Sequence, residues 1–348
     1  MKRSGKEKYL GDFVSEKGNS KETIEDRKIR GNAVVAQMTA LLQDIPLGNR
    51  RVQAGIALRR AWFINGCLFN SEVWMKYSPQ DLHDLEVIDN QILRIITGAQ
   101  QKAPTEMLFL ETAELPIKHV ITVRRLLYLH TILRRHKQEI TYRIYKAMKE
   151  DPTKGDWIHL VKEDLESIDM SIEDEEKIEI MTEEEFKKIV KEKIRQVAFK
   201  ELEETKASHE KVRTIIHSDL KKPQGYLSEP RLDNKEKSIL FNLRSRSINE
   251  FRDNFHNRYQ NVDCPMCGKS ADTQEHALTC EKITQQFDKE QLQIQNAQTY
   301  NDLFSTIDKQ IAITKTYKNI MEIRQRLRSQ DDPDQAHHGL IVDLEDDT

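Results

Sequence analysis

Ser78-Pro79-Gln-Asp-Leu82-His-Asp-Leu85-Glu-Val-Ile88-Asp-Asn-Gln-Ile92-Leu93-Arg-Ile-Ile96-Thr-Gly98 reads as one amphipathic helix from start to stop. Ser78 supplies an N-cap oxygen, and Pro79 fits the first helical position, where its missing N–H costs nothing. Leu82, Leu85, Ile88, Ile92, Leu93 and Ile96 then recur at helical spacing, and Gly98 ends the run. The same period appears along most of the chain. Ile24, Ile29, Val34, Val35, Met38, Leu41 and Leu42 predict a helix over 23–42, which Pro46 and Gly48 interrupt. A second helix is expected from Asn49 through Trp62 and Leu68 to Trp74, and others over 117–134, 234–251 and 286–328. Asp156 caps a helix carrying Trp157, Leu160, Val161 and Leu165. Thr182 with Glu185 forms a capping box for a helix through Phe186, Ile189, Ile194 and Val197. The three tryptophans fall on apolar faces and are expected in the core. Strand-like sequence is confined to Lys8–Val14, before a turn at Glu16–Ser20. The expected fold class is mainly α, a helical bundle with a small N-terminal β element.

The 348 residues are 32% charged and 37% hydrophobic, with a formal net charge of −3. The first nine residues carry charge without an apolar core, so they do not read as a signal peptide, and no apolar run reaches the ~20 residues of a membrane helix. The small net charge hides segregation. Residues 118–154 hold ten Lys/Arg against three Asp/Glu, 161–210 hold nine against seventeen, and 211–260 hold eleven against six. The last eighteen residues hold seven acids and no base, and read as a disordered tail. Glu173–Glu185 reads as an acidic connector with little to bury. Basic stretches of this kind suit a polyanionic partner, RNA or DNA first.

Cys264-Pro-Met-Cys267, His276 and Cys280 use three of the four cysteines within seventeen positions. Thiolates and an imidazole are natural ligands of Zn²⁺, which takes four in a tetrahedron. Cys-x2-Cys on a tight turn brings two sulfurs to one ion, with Gly268 easing the turn. His276 and Cys280, four apart, share a face of one helical turn. Four protein ligands leave no position for an activated water, so the expected cofactor is a structural zinc. Glu275 beside His276 does not make a zinc deaminase, whose His-x-Glu precedes its cysteine pair. Clustered cysteines plus a lone Cys67 fit a reducing compartment, nuclear or cytoplasmic.

Several stretches, in order, resemble the C-terminal part of non-LTR (LINE-type) retrotransposon reverse transcriptases. Lys8-Tyr9-Leu10-Gly11 is similar to the strand that ends the palm. Gly66-Cys-Leu-Phe-Asn70-Ser-Glu-Val-Trp74 is similar to a helix of the thumb region. Thr105-Glu-Met-Leu-Phe-Leu-Glu111, Leu115-Pro-Ile117 and Arg124-Arg-Leu-Leu-Tyr-Leu-His130 are similar to the segment that follows. Leu240-Phe-Asn-Leu-Arg244-Ser-Arg246 leads into the cysteines as in the C-terminal zinc knuckle. The resemblance covers about residues 6 to 285 and rests on collinear order more than on any single motif. It implies a palm-end hairpin over 1–20, a thumb-like helical domain over 21–150, a charged helical connector over 151–260, a knuckle over 261–285, a helix over 286–330 and the acidic tail over 331–348.

The family polymerises DNA with palm carboxylates that hold two metal ions, including an aromatic-x-Asp-Asp turn. The only Asp-Asp pairs here, Asp331-Asp332 and Asp346-Asp347, sit in the tail without an aromatic context. The chain therefore reads as the back half of such an enzyme, starting at an internal methionine and not catalytic by itself. Its expected role is gripping a template–primer duplex or retrotransposon RNA through Arg124, Arg125, Arg134 and Arg135 on one helix, and Arg244, Arg246 and Arg252 ahead of the knuckle. No membrane and no small-molecule substrate is implied. The alternative is a helical protein-interaction scaffold with a zinc staple, domesticated or degenerate.

Overall fold

A computed structural model describes residues 6–9, 12–15, 18–44, 50–252, 262–286 and 300–331. As expected, the chain is mainly helical, with one two-stranded sheet among the described residues. Strands β1 (Lys6–Tyr9) and β2 (Asp12–Ser15) pair antiparallel with Lys6 opposite Ser15. The expected breaks at Pro46 and Gly48, and the tail beyond Asp331, lie outside the described residues. None of the described helices is long and apolar enough to cross a membrane.

Two compact units divide the chain, residues 1–97 with 104–228, and residues 98–103 with 229–348. The first unit begins with β1 and β2 and continues through α1 (Lys21–Asp44), α2 (Arg51–Leu58), α3 (Pro79–Thr97), α4 (Thr105–Thr112), α5 (Ile117–Leu133), α6 (Ile140–Glu150), α7 (Trp157–Glu166), α8 (Glu175–Ile180) and α9 (Glu183–Ser208). Helix α1 lies along α3, and α5 is a central rod against which α6, α7, α8 and α9 pack. Leu85, Ile88, Ile92, Leu93 and Ile96 are all buried, as their spacing predicts. At Gly55 the packing is so close that a Cβ would stand 2.7 Å from Ile96 Cγ1. Ser78, Asp156 and Thr182 cap their helices as expected, and Glu185 closes its capping box.

The structure departs from the sequence expectations at several places. The boundary expected at 150 is not a seam, because one core cluster runs from Val123 through Tyr145, Trp157, Val161 and Leu165 to Ile194. Ile178 of the acidic connector, and Ile172 immediately before it, belong to that core too. Glu173, Glu176 and Glu183 to Glu185 are exposed, whereas Glu175 is mostly buried and accepts from Tyr145, Lys146 and Lys149. Ile29 is 67% exposed and Ile189 is 37% exposed. The buried line of α1 runs Ile24, Arg27, Gly31, Val34 and Met38, and that of α9 runs Phe186, Val190, Ile194 and Ala198, so both isoleucines fall off the true face. The helix expected from Asn49 to Trp74 changes pitch, with a π-helical run over Arg59–Cys67 and a short 3-10 turn at Ser71–Val73. Trp74 and Trp157 are buried as expected, whereas Trp62 is 37% exposed on the π-helical run.

That run places Arg59 inside the first unit. Its guanidinium donates to both oxygens of Asp89 at 2.6 Å, to Glu114 and to the Leu115 carbonyl at 3.2 Å. Arg60, mostly exposed, donates to the other Glu114 oxygen at 2.5 Å. A second buried cluster holds the segment after α9. His217 bonds Glu111 at 2.9 Å through Nε2, while its Nδ1 faces Glu203 at 3.4 Å and the Lys206 ammonium at 3.2 Å. Burial alone would lower the His217 pKa, and Lys206 also opposes its charge. The hydrogen bonds to Glu111 and Glu203 outweigh both and raise it.

The second unit holds α10 (Asn234–Arg244), α11 (Gln274–Thr279), α12 (Glu281–Thr284) and α13 (Ile307–Asp331). Helix α10 stops at Arg244, earlier than expected. Asn242 turns the chain there, accepting at its Oδ1 from the Gln100 N–H and the Ser247 hydroxyl, each at 2.8 Å.

Two outcomes are expected for the first unit. Asp89→Ala leaves a buried guanidinium short of a carboxylate and should destabilise it by about 3–5 kcal/mol, read as a lower urea midpoint. A raised folded pKa at His217 means a stability contribution present below the ordinary imidazole value of ~6.5 and lost as pH rises through the folded value. Urea titrations at a series of pH values should show that decline above about pH 6.5 in the native chain and a flatter profile in His217→Gln.

Candidate metal centre

Asp263 and Ala271 form an isolated antiparallel bridge that folds the chain back on itself. Inside this turn the Cys264 N–H donates to the Ser270 carbonyl at 2.7 Å, and the Gly268 N–H donates to the Cys264 carbonyl at 2.8 Å. Gly268 has φ +63°, a conformation that glycine adopts without strain. The turn therefore brings Cys264 and Cys267 to the same side. Thr273 then caps α11, accepting from the His276 N–H at 3.0 Å, which sets His276 in the first turn of that helix. The helix ends at Thr279, so Cys280 follows it in extended conformation and its carbonyl receives the Thr284 N–H at 2.8 Å.

The four expected ligands converge. Their donor atoms all lie within 4.8 Å of one another. The Cys264 and Cys280 sulfurs are 3.9 Å apart, and the Cys267 sulfur is 3.2 Å from His276 Nε2. A tetrahedron with Zn–S of about 2.3 Å has sulfurs about 3.8 Å apart, so the donor set and its spacing suit one such ion. Cys264 and Cys280 are buried, whereas Cys267 and His276 are partly exposed. The Lys269 N–H pointing at its sulfur holds the Cys267 pKa below the usual thiol value, and burial pushes Cys280 up to about 11. A cation among the sulfurs reverses the second effect, since a coordinating thiol ionises outright. A metal ion held by all four would tie these chain segments together and have no open coordination position.

The metal loop is not a free-standing knuckle, and here the structure revises the division expected at 261 and 285. Asp272 is fully buried and accepts two N–H groups from Arg324 of α13 at 2.8 and 2.9 Å, plus the Arg252 N–H at 3.0 Å. The Arg324 guanidinium lies over the Phe251 ring at 4.6 Å. Gln274 donates to the Leu243 carbonyl at 3.2 Å and to the Tyr300 hydroxyl at 2.7 Å, and the Tyr317 hydroxyl donates to the Gln274 carbonyl at 2.5 Å. Ala277 and Ile283 are fully buried. Residue-by-residue reading of the sequence missed Asp272, Gln274, Tyr317 and Arg324. The legible signal was Tyr317 and Arg324 standing seven apart, on one face of a polar helix.

The seven arginines expected to face phosphate are differently placed. Arg124 turns inward and donates to the Ile64 carbonyl at 2.7 Å, to the Leu68 carbonyl, to Asn65 at 3.2 Å and to Ser71 at 3.3 Å, filling carbonyls at the end of the π-helical run. Arg125 is 3% exposed, paired with Asp164 at 2.6 Å and Tyr77 at 3.1 Å. Consecutive helical residues point about 100° apart, so the four never formed one face. Arg134 and Arg135 are exposed at the end of α5, and Arg135 pairs with Glu139 at 2.8 Å. Arg244 is buried against Phe304, at 5.6 Å from its ring. Arg246 adopts φ +50°, pairs with Glu275 and stacks 4.4 Å from the Tyr300 ring. Arg252 is partly buried. Arginines 124, 125, 244 and 246 thus hold the fold together from inside.

Because α13 and the end of α10 grip the metal loop, metal loss should reach beyond it. The native chain is expected to carry one zinc per molecule by elemental analysis, and Cys267→Ser to carry less than one. Chelation should melt α10 and α13 together while α3 and α5 keep their protection in hydrogen exchange. Loss of protection confined to 262–284 would show an independent knuckle instead.

No protein-family model, curated protein or solved structure matches this chain.

Proposed function

We propose that this chain binds nucleic acid without polymerising it, as the thumb-to-knuckle part of a non-LTR retrotransposon reverse transcriptase. One observation carries this reading: the family-like stretches occur in order along the sequence and end in Cys264, Cys267, His276 and Cys280, whose donor atoms lie within 4.8 Å of one another and could hold one ion. A mainly helical architecture is in keeping with a thumb. The zinc in this reading is structural, and the partner is an RNA or a template–primer duplex held through its phosphates. Polymerisation is assigned elsewhere, because this sequence contains no aromatic-x-Asp-Asp turn to hold a metal pair.

A second reading, a helical protein-interaction scaffold with a zinc staple, draws support from the arginines. Arg124, Arg125, Arg244 and Arg246 make internal contacts that a phosphate grip would leave unused. The two readings differ in salt dependence. A phosphate-binding chain should bind a labelled RNA–DNA duplex with an affinity that falls linearly in log–log form between about 50 and 200 mM salt. A scaffold should show no saturable binding even at the lowest salt. Primer extension with Mg²⁺ or Mn²⁺ should yield no product in either case, and template-dependent extension by the purified chain would overturn the non-catalytic part.

A further inference from the structure

Lys187, Lys191 and Arg195 stand at positions i, i+4 and i+8 of α9, one row along the helix. The row flanks the buried line of Phe186, Val190, Ile194 and Ala198, so the core beneath fixes its direction. Lys187, Lys188 and Lys191 are exposed and Arg195 is partly exposed. Among the described residues none of these four forms an ion pair, whereas Arg59, Arg125, Lys118, Lys137, Lys149 and Lys206 of the same unit all do. Like charges at this spacing repel. The Lys191 ammonium registers it: burial first, then the charges of Lys187 and Arg195, hold its pKa below the usual lysine value.

The tertiary structure adds to this row. Leu220 packs with Ala198 and Leu110, which delivers the following Lys221 and Lys222 to α9. Lys221 reaches Glu192 at 3.0 Å, and Glu192 also accepts from Gln196 at 3.3 Å. Glu192 is thereby already engaged, and Lys222, next in sequence to Lys221, is exposed. Glu183, one turn before Lys187 in the same row, and Glu184, one turn before Lys188, are the carboxylates at the N-terminal end of this flank. The row spans about 12 Å at 1.5 Å rise per residue. One strand of a duplex carries a phosphate about every 3.4 Å of axis, so the row matches three to four phosphates.

We propose that the Lys187–Lys191–Arg195 row, widened by Lys188 and Lys222, is a contact surface for the phosphodiester backbone of a nucleic acid, an assignment that rests on the nucleic-acid reading above. A row of unpaired like charges is unfavourable in the free protein and is relieved when phosphates approach. The contact holds the backbone and reads no sequence. It also lies in the stretch of the chain with the largest excess of acids, where the charge count of the sequence points away from nucleic acid.

The test uses the full chain, a fluorescein-labelled RNA–DNA duplex and KCl between about 50 and 200 mM. Three proteins are compared: native, the triple variant K187Q/K191Q/R195Q, and a charge-matched control R143Q/K154Q/K282Q. The triple variant should bind at least about tenfold more weakly at the lowest salt, with a log–log salt slope smaller by about two to three, near 0.9 per lost phosphate contact. The control should keep the native slope. Glutamine suits an exposed helix and the repulsion is gone, so the triple variant should melt no lower than the native chain, which separates lost contact from lost fold. Native binding with an unchanged slope in the triple variant would overturn this surface and leave the nucleic-acid reading standing. Absence of binding by the native chain would overturn both. A poly-glutamate chain that binds native protein but not the triple variant, with duplex binding unaffected, would reassign the row to an acidic protein partner and overturn the proposal.

Discussion

A chain that is 32% charged can bury a core only if the charges taken inside find partners. This constraint runs through both units. Arg59 sits between Asp89 and Glu114, Arg125 against Asp164, His217 against Glu111, and Arg324 against Asp272. Each pair joins residues distant in sequence, and each places a guanidinium or imidazole where a hydrophobic side chain would otherwise sit. The pairs are also directional. A bidentate Arg–carboxylate contact fixes the angle between two elements, whereas a leucine tolerates rotation. Apolar burial drives the collapse, and these pairs fix which helices meet and in what register.

The same constraint reshapes the expected basic surfaces. Arginine density along a sequence measures how many cations a segment has, and says nothing about how many remain for a partner. In α5, two adjacent arginines have unrelated fates. Arg124 closes the carbonyls of the π-helical run and Arg125 neutralises Asp164. In the second unit Arg244 and Arg246 lie on Phe304 and Tyr300. What is left over appears on α9, whose own stretch of sequence is acidic. Three of its seven acids stand in the first turn, where the helix dipole favours them, and Lys187, Lys191 and Arg195 line up on one flank.

The metal centre and the second unit depend on each other. Backbone hydrogen bonds of the turn aim Cys264 and Cys267, and the Thr273 cap aims His276. Asp272 and Gln274, lying between the two ligand pairs, are held by Arg324, Tyr317 and Tyr300. A zinc ion bound to the four ligands would close the one side of this arrangement that the protein leaves to thiols and an imidazole, so metal affinity and the packing of α13 are linked.

The sequence by itself determined the helical class, the capped starts at Ser78, Asp156 and Thr182, the buried stripe of α3 and the four residues whose donor atoms converge and could hold a metal ion. These are local facts: a cap acts within three residues, a stripe repeats every three to four, and a ligand set is defined by spacing along one short loop. Three things only the tertiary structure decided. One was the path of the core across residue 150, since nothing local distinguishes an isoleucine that anchors a connector from one that stays in water, as Ile178 and Ile180 show. Another was the embedding of the metal loop against α13. The last was the fate of each charge. Whether a cation is neutralised or left for a partner depends on which carboxylate lies within about 4 Å after folding, and that distance is set by elements far apart in the chain.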